Sequence, residues 1–224
     1  MTHQIPVSAA RTTRHVAHQF DDAEQQFDAA RLGMWLFLAT EVLFFGGLFT
    51  GYAIYRAMYP AAFHLASTRL DVVWGTVNTA VLLVSSLTMA LAVHAAQSND
   101  RRGCGRFLVA TMLLGAAFLG VKAYEYVHKF HEHLLPGPAF DAGELAARVP
   151  SGQVELFFSF YFAMTGMHAV HMLIGLGLLS WLWLHARRGR FSSEYHTPVE
   201  MTGLYWHFVD IVWVFLFPLL YLIG

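Results

Sequence analysis

The chain has 224 residues, of which 56% are hydrophobic, 15% aromatic and only 13% charged, with a mean hydropathy of +0.46. A soluble domain carries roughly a quarter charged residues, so this composition excludes an ordinary water-soluble globule and marks an integral membrane protein. A net charge of −1 offers no basic face for nucleic acid, and a single cysteine, Cys104, excludes an internal disulfide and a cysteine-built metal cage.

Residues 1–30 are polar and lack the apolar core of a cleaved signal, so they are expected to remain as an N-terminal tail ahead of a single domain, 31–224. Apolar runs long enough to span a bilayer then recur five times, near 32–55, 72–95, 107–126, 154–184 and 203–223. The expected fold is an all-α membrane protein, one bundle of five transmembrane helices. The fourth run is longer than a bilayer requires and should tilt or project beyond it. The joints at 97–102, 128–150 and 187–202 read as loops, the middle one broken by Pro136, Pro138 and Pro150. Its histidine-rich start, 128–133, reads as solvated. No internal repeat and no broken helix pair is present, which disfavours a proton-coupled transporter.

Orientation follows from Lys and Arg. One side collects nine basic residues, Arg11, Arg14, Arg31, Arg101, Arg102, Arg106, Arg187, Arg188 and Arg190, against four on the other, Arg56, Arg69, Lys129 and Arg148. The N-terminus is therefore expected in the cytoplasm and the C-terminus in the periplasm. The remaining basic residue, Lys122, falls inside the third span.

Depth sorts the polar residues, because a helix rises about 1.5 Å per residue. Glu41 lies near the midplane, and His168 and His171 stand at a similar depth on the fourth span. An ionised, unpaired carboxylate there costs several kcal/mol, so Glu41 should be protonated, hydrogen-bonded, or both, with His168 or His171 as partner. It is either a proton-handling group or a structural bond locking the first span to the fourth. His207 and Asp210 form an inner polar layer on the fifth span. Lys122 and Glu125, spaced i and i+3, share a helix face and read as an outer-rim charge pair, with a substrate contact as the sharper alternative.

Thirteen histidines raise the question of haem or metal. His171 and His185, fourteen apart, have a spacing that suits a dihaem cytochrome b, but the midplane pair has no imidazole opposite it. His168 and His171 have no further ligand at their depth to complete a metal site. Gly47 with Gly51, and Ala116 with Gly120, predict close helix approaches. Asn78, Thr79, Ser85, Ser86 and Thr88 give the second span a polar stripe suited to bonds across helices. Trp74, Trp181, Trp183, Trp206 and Trp213, with Tyr205 and Tyr221, are expected in an interfacial belt.

The stretches "LGMWLFLATEVLFFGGLF", "NTAVLL", "KAYEY", "TGMHAVHMLIG" and "GLYWHFVDIVWVFLFPLLYLIG" resemble the cytochrome c oxidase subunit III family of haem-copper terminal oxidases, and the resemblance runs from Arg31 to Gly224. It implies a subunit with no catalytic centre, haem or copper of its own. Haem and copper belong to partner subunits: subunit I reduces oxygen and pumps protons, and subunit II receives electrons. The resemblance also implies support of proton uptake into subunit I, protection of the complex during turnover and bound phospholipid. The family's reactive membrane carboxylate maps onto Glu41 and its motif histidines onto His168 and His171; the histidines are then expected to bond around Glu41 and brace helices. Longer members have seven spans, and this chain starts at what is their third. Subunit I, with extra C-terminal helices, is accordingly the expected main partner, beside subunit II, a small subunit IV and membrane lipids. A nitric oxide reductase accessory subunit of the same family is the nearest alternative.

Overall fold

The computed structural model describes residues 18–191 and 195–222. Arg11, Arg14 and Ile223, used in the sequence argument, lie outside the described residues. Among the described residues five helices are long and apolar enough to cross a membrane, α1 (Ala23–Met58), α3 (Val72–Gln97), α4 (Arg101–His131), α5 (Ser151–Arg187) and α6, which runs Thr197–Phe217 and continues as a π-turn over Pro218–Leu222. Between α1 and α3 lies a short helix, α2 (Pro60–Ser67). Its residues Ala62, Phe63 and Ala66 are buried, and it packs on α5.

Capping places the helix starts. Asp22 accepts from the Gln25 amide at 2.7 Å while the Gln25 side chain accepts from the Asp21 amide, so α1 begins well before the apolar run. Asp71 caps α3 by accepting from Val73 and Trp74. Asn99, left-handed at φ 59°, and Asp100, which accepts from the Gly103 amide, turn the chain sharply from α3 into α4. The fourth span reaches 37 residues, about 55 Å of helix, as its long apolar run required. The joint after α4 is shorter than expected: helix continues to His131, and Lys129, read as part of a solvated loop, is buried and bonds Glu132 at 2.6 Å.

Helix α6 is the centre of the bundle, packed by α3, α5 and α1, whereas α4 packs on α3 and α5. In lipid, apolar surface gives no net drive for helices to associate, so close packing and interhelical hydrogen bonds must hold them. Trp206 shows both. Its ring lies over Gly115 of α4 and Gly175 of α5, where an added Cβ would stand 2.8 Å from the indole in each case. Its N–H donates to Ser85 of α3 at 3.0 Å. Trp213 repeats the device about two turns further along, donating to Thr79 at 3.1 Å.

These contacts correct two expectations. Trp206, Trp213, Tyr205 and Tyr221 belong to the core rather than an interfacial belt, because they sit on the central helix and find polar partners on its neighbours; Trp74 and Trp181 are the exposed ones. Of the three glycines in the predicted small-residue pairs, Gly51 meets a neighbour, the Phe160 ring, whereas Gly47 and Gly120 face open space. The polar stripe of α3 is used as expected, since Asn78, Thr79, Ser85, Ser86 and Thr88 all bond across helices.

Candidate functional site

Glu41 and His171 meet between α1 and α5, with Glu41 Oε2 3.0 Å from His171 Nε2. Their side chains are 19% and 11% exposed. The other ring nitrogen, Nδ1, lies 2.9 Å from the Met167 carbonyl one turn back. A carbonyl only accepts, so Nδ1 carries a hydrogen. If the imidazole is neutral, Nε2 is then an acceptor and Glu41 must donate as a carboxylic acid. The alternative is an imidazolium donating to a carboxylate. Either way one proton is shared between the two groups and the pair is neutral as a whole, the form tolerated at membrane depth. Phe45 and Tyr205 pack beside the imidazole, and the Tyr205 hydroxyl donates to the His171 carbonyl at 3.0 Å, tying α6 to the same point.

His168 is not part of this pair. Three residues along a helix rotate a side chain by roughly 60° from its neighbour, enough to aim it at different helices. His168 is turned between Phe118 of α4 and Trp213 of α6, fully buried, with no hydrogen-bond partner on either ring nitrogen. The expectation that both histidines bond around Glu41 therefore holds for His171 alone.

His207 and Asp210 face the opposite side of α6. His207 Nδ1 lies 2.6 Å from the Ser86 hydroxyl of α3, while Asp210 is buried with neither carboxylate oxygen hydrogen-bonded. They do not join Glu41, because positions 205 and 208 of the central helix take the α1 side, where Tyr205 and Phe208 pack near Phe37 and Phe45.

Lys122 and Glu125 form the pair read from their spacing, at 3.0 Å, but not at a solvent-facing rim: their side chains are 5% and 8% exposed. Sequence spacing missed the reason, two tyrosines from other helices. Tyr161 of α5 and Tyr221 after α6 both donate to Glu125 Oε1, at 2.8 and 2.6 Å. The Lys122 ammonium reaches both hydroxyls, at 3.1 and 2.9 Å, and lies over the rings of Tyr126, Tyr161, Trp213 and Tyr221. A buried charge pair is tolerable only when its remaining donors and acceptors are satisfied, and these tyrosines do that. Pro218 aids the placement of Tyr221. It lacks an N–H, the last turn of α6 widens, and the Leu219 carbonyl is taken by the Tyr52 hydroxyl at 3.0 Å. The signal available in the sequence was the "KAYEY" spacing; the partners were legible only as tyrosines at similar depth.

At the opposite end of α6, Glu200 receives a hydrogen bond from the Gln97 side chain of α3 and lies 3.3 Å from His196. Among the described residues, no three His, Cys, Asp or Glu side chains converge as a metal site would require. The arrangement thus places a hydrogen-bonded Glu41–His171 contact at the α1 face and a fully bonded charge cluster inside the bundle.

Comparison with known proteins accords with this organisation. A model of the family described as cytochrome c oxidase subunit III matches residues 13–132 and 151–224. The chain is 33% identical over 204 residues to cytochrome c oxidase subunit 3 of Thermostichus vulcanus, covering 91% of this chain and 92% of that one. It is 29% identical to quinol oxidase subunit 3 of Bacillus subtilis, covering 94% and 97%. A longer relative, probable cytochrome c oxidase subunit 3 of Rickettsia felis, is 31% identical, with 87% of this chain aligned to 68% of that protein. With the family model matching on both sides of the 133–150 joint and a relative 33% identical over nearly its whole length, this chain belongs to the cytochrome c oxidase subunit III family.

Proposed function

We propose that this chain, as the accessory subunit III of a haem-copper respiratory oxidase, braces the oxygen-reducing subunit I and supports the supply of protons to it. The observation that carries the reading is the hydrogen-bonded contact of Glu41 with His171, 3.0 Å between Oε2 and Nε2, on the least enclosed of the five helices. In α1 only 11% of the apolar window is buried within the chain, against 56% in α6. Trp35, Leu36 and Leu43 stand far out from its surface. That apolar face is the docking surface for subunit I and its extra C-terminal helices. The pair behind it locks α1 to α5, so docking force is passed into the bundle. A proton handed from the pair to a group of the partner leaves a carboxylate beside a neutral imidazole, so any such transfer has to be coupled to reprotonation of the pair.

In this reading haem and copper stay in the partner subunits, subunit II and a small subunit IV complete the assembly, and lipids fill the remaining membrane face. The complex lies in the bacterial cytoplasmic membrane with the chain's N-terminus inside, the side to which the basic residues point.

The test is to purify a tagged copy from its native membrane and measure the metals and the reduced-minus-oxidised spectrum of its companions. Haem and copper in partner chains, with this chain colourless, is the expected result. Haem iron without copper redirects the reading to a nitric oxide reductase, and haem held by this chain overturns it in favour of a dihaem cytochrome b.

A further inference from the structure

The basic residues at the inner end of the bundle are gathered rather than spread. Arg101, Arg102 and Arg106 at the start of α4 and Arg187 and Arg188 at the end of α5 line one groove of about 640 Å³. No acidic residue lines it, and among the described residues none of the five arginines takes part in an ion pair. The nearby Asp100 carboxylate is taken up in capping α4. Five like charges around one concave space repel one another and concentrate anions from solution.

The groove is partly preformed. The Arg187 guanidinium lies 4.8 Å from the centre of the Trp183 ring, which holds it on one wall. A Cβ on Gly189, just beyond α5, would stand 2.9 Å from Arg101 Nη1, so glycine leaves room for that guanidinium, and its φ of +67° is one that glycine adopts without strain. Gly105, with nothing within 4 Å of where its Cβ would be, keeps the floor open.

Height decides between membrane-bound and soluble anions. With the Glu41–His171 contact taken as the midplane, Arg187, sixteen residues further along α5, stands about 24 Å out and Arg188 slightly beyond it. Gly115 and Gly175 lie against the same Trp206 ring, so α4 and α5 share that level, about 6 Å from His171. Arg101 and Arg102, fourteen and thirteen residues before Gly115, are then about 27 and 26 Å out, and Arg106 about 20 Å. A bilayer with its headgroups ends about 20–22 Å from its centre. Four of the five guanidinium groups therefore stand in water beyond the lipid phosphates, and only Arg106 is level with them.

Charge density decides among soluble anions. Five guanidinium groups around so small a space call for several negative charges held close together. An acidic peptide spaces single carboxylates along a backbone, whereas a nucleoside triphosphate carries its charges on three adjacent phosphates, each able to accept two parallel bonds from one guanidinium. The volume is that of a small-molecule site, about 300–1,000 Å³ being usual, and the half-buried Trp183 and Val109 supply an apolar wall for a planar base. We propose that the arginine groove between α4 and α5 binds a nucleoside triphosphate, with the phosphates on Arg101, Arg102 and Arg188 and the base against Trp183 and Val109.

The test titrates ATP, with EDTA present, onto the purified complex that contains this chain, held in nanodiscs of phosphatidylcholine and phosphatidylglycerol, and follows binding by equilibrium dialysis. Affinity of the wild type should fall in the order ATP, ADP, AMP. R101Q/R102Q/R188Q, with the subunit content of the complex unchanged, should bind ATP at least about tenfold more weakly, since each change removes a charge-assisted bond to phosphate. R101K/R102K/R188K should fall between the two, and W183L should weaken ATP while leaving inorganic tripolyphosphate unaffected. Equal ATP binding by wild type and glutamine variant overturns the proposal, as does equal affinity of the wild type for ATP and AMP. W183L binding ATP as tightly as the wild type leaves the base no role and overturns the nucleotide in favour of any compact polyanion. Binding of ATP only when phosphatidylglycerol is left out assigns the groove to lipid headgroups, and loss of a protein subunit from the glutamine variant assigns it to an acidic partner; either overturns the proposal. Failure of the oxidase reading leaves these outcomes untouched, because the site requires the bundle in a membrane and not an oxygen-reducing partner.

Discussion

Replacing His171 with leucine removes the Nε2 that bonds Glu41 at 3.0 Å and the Nδ1–H bond to Met167. Interhelical polar bonds in membrane proteins are worth about 0.6 kcal/mol on average and up to about 1.7. An orphaned buried polar group adds a desolvation penalty of about 1–3 kcal/mol. With the pair only partly enclosed, at 19% and 11% exposure, about 1–2 kcal/mol is expected for H171L. Much of that cost is the abandoned carboxyl, so removing it as well should return part of it. The assay is a double-mutant cycle of wild type, E41L, H171L and E41L/H171L, read as the temperature at which this chain dissociates from the complex in mild detergent. E41L/H171L is expected to be no worse than H171L, with a coupling energy of about 1 kcal/mol. Strict additivity of the two single effects would refute the argument that the pair acts as one neutral unit.

Other perturbations follow from the same geometry. E41Q keeps the shape and a donor for a neutral imidazole, so assembly and most turnover should survive; collapse of oxygen consumption in a fully assembled complex would show that the carboxyl itself must exchange a proton. E125Q leaves the Lys122 ammonium buried without its counter-charge and should destabilise by about 3–5 kcal/mol, with K122M/E125Q recovering part of the loss in thermal inactivation curves. G175V drives new carbon atoms into Trp206, whose ring already stands 2.8 Å from a Cβ at that position, and should cost about 1–3 kcal/mol by the same measurement. Membrane-impermeant thiol labelling of single cysteines placed near each terminus should modify the C-terminal one from outside the cell; labelling of the N-terminal one instead would reverse the topology.

The five spans were legible because a bilayer demands length and apolarity, and both are local properties. Their ends were not. The helical start of α1 at Ala23 depends on the Asp22–Gln25 cap, and the extension of α4 to His131 passes through polar residues that hydropathy reads as loop. Pairing at a given depth was partly legible: Glu41 found one of the two imidazoles proposed for it, but choosing His171 over His168 requires knowing which helix each side chain faces. The tryptophans failed for a related reason. Being near a span end predicts a belt only for a lipid-facing helix, and α6 is surrounded. Lys122 and Glu125 were recognised as a pair by spacing, while their burial depended on Tyr161 and Tyr221, 36 and 96 residues away from Glu125.

In the proposed function the redox centres belong to the partner subunits and this chain serves their complex. The most direct measurement is to strip the chain from the purified complex and follow both spectrum and oxygen consumption with time. Haem and copper should remain with the other subunits, the spectrum and initial rate should be largely retained, and activity should then decay faster than in the intact complex. Loss of the haem spectrum together with this chain, or a depleted complex that turns over as durably as the intact one, would contradict it.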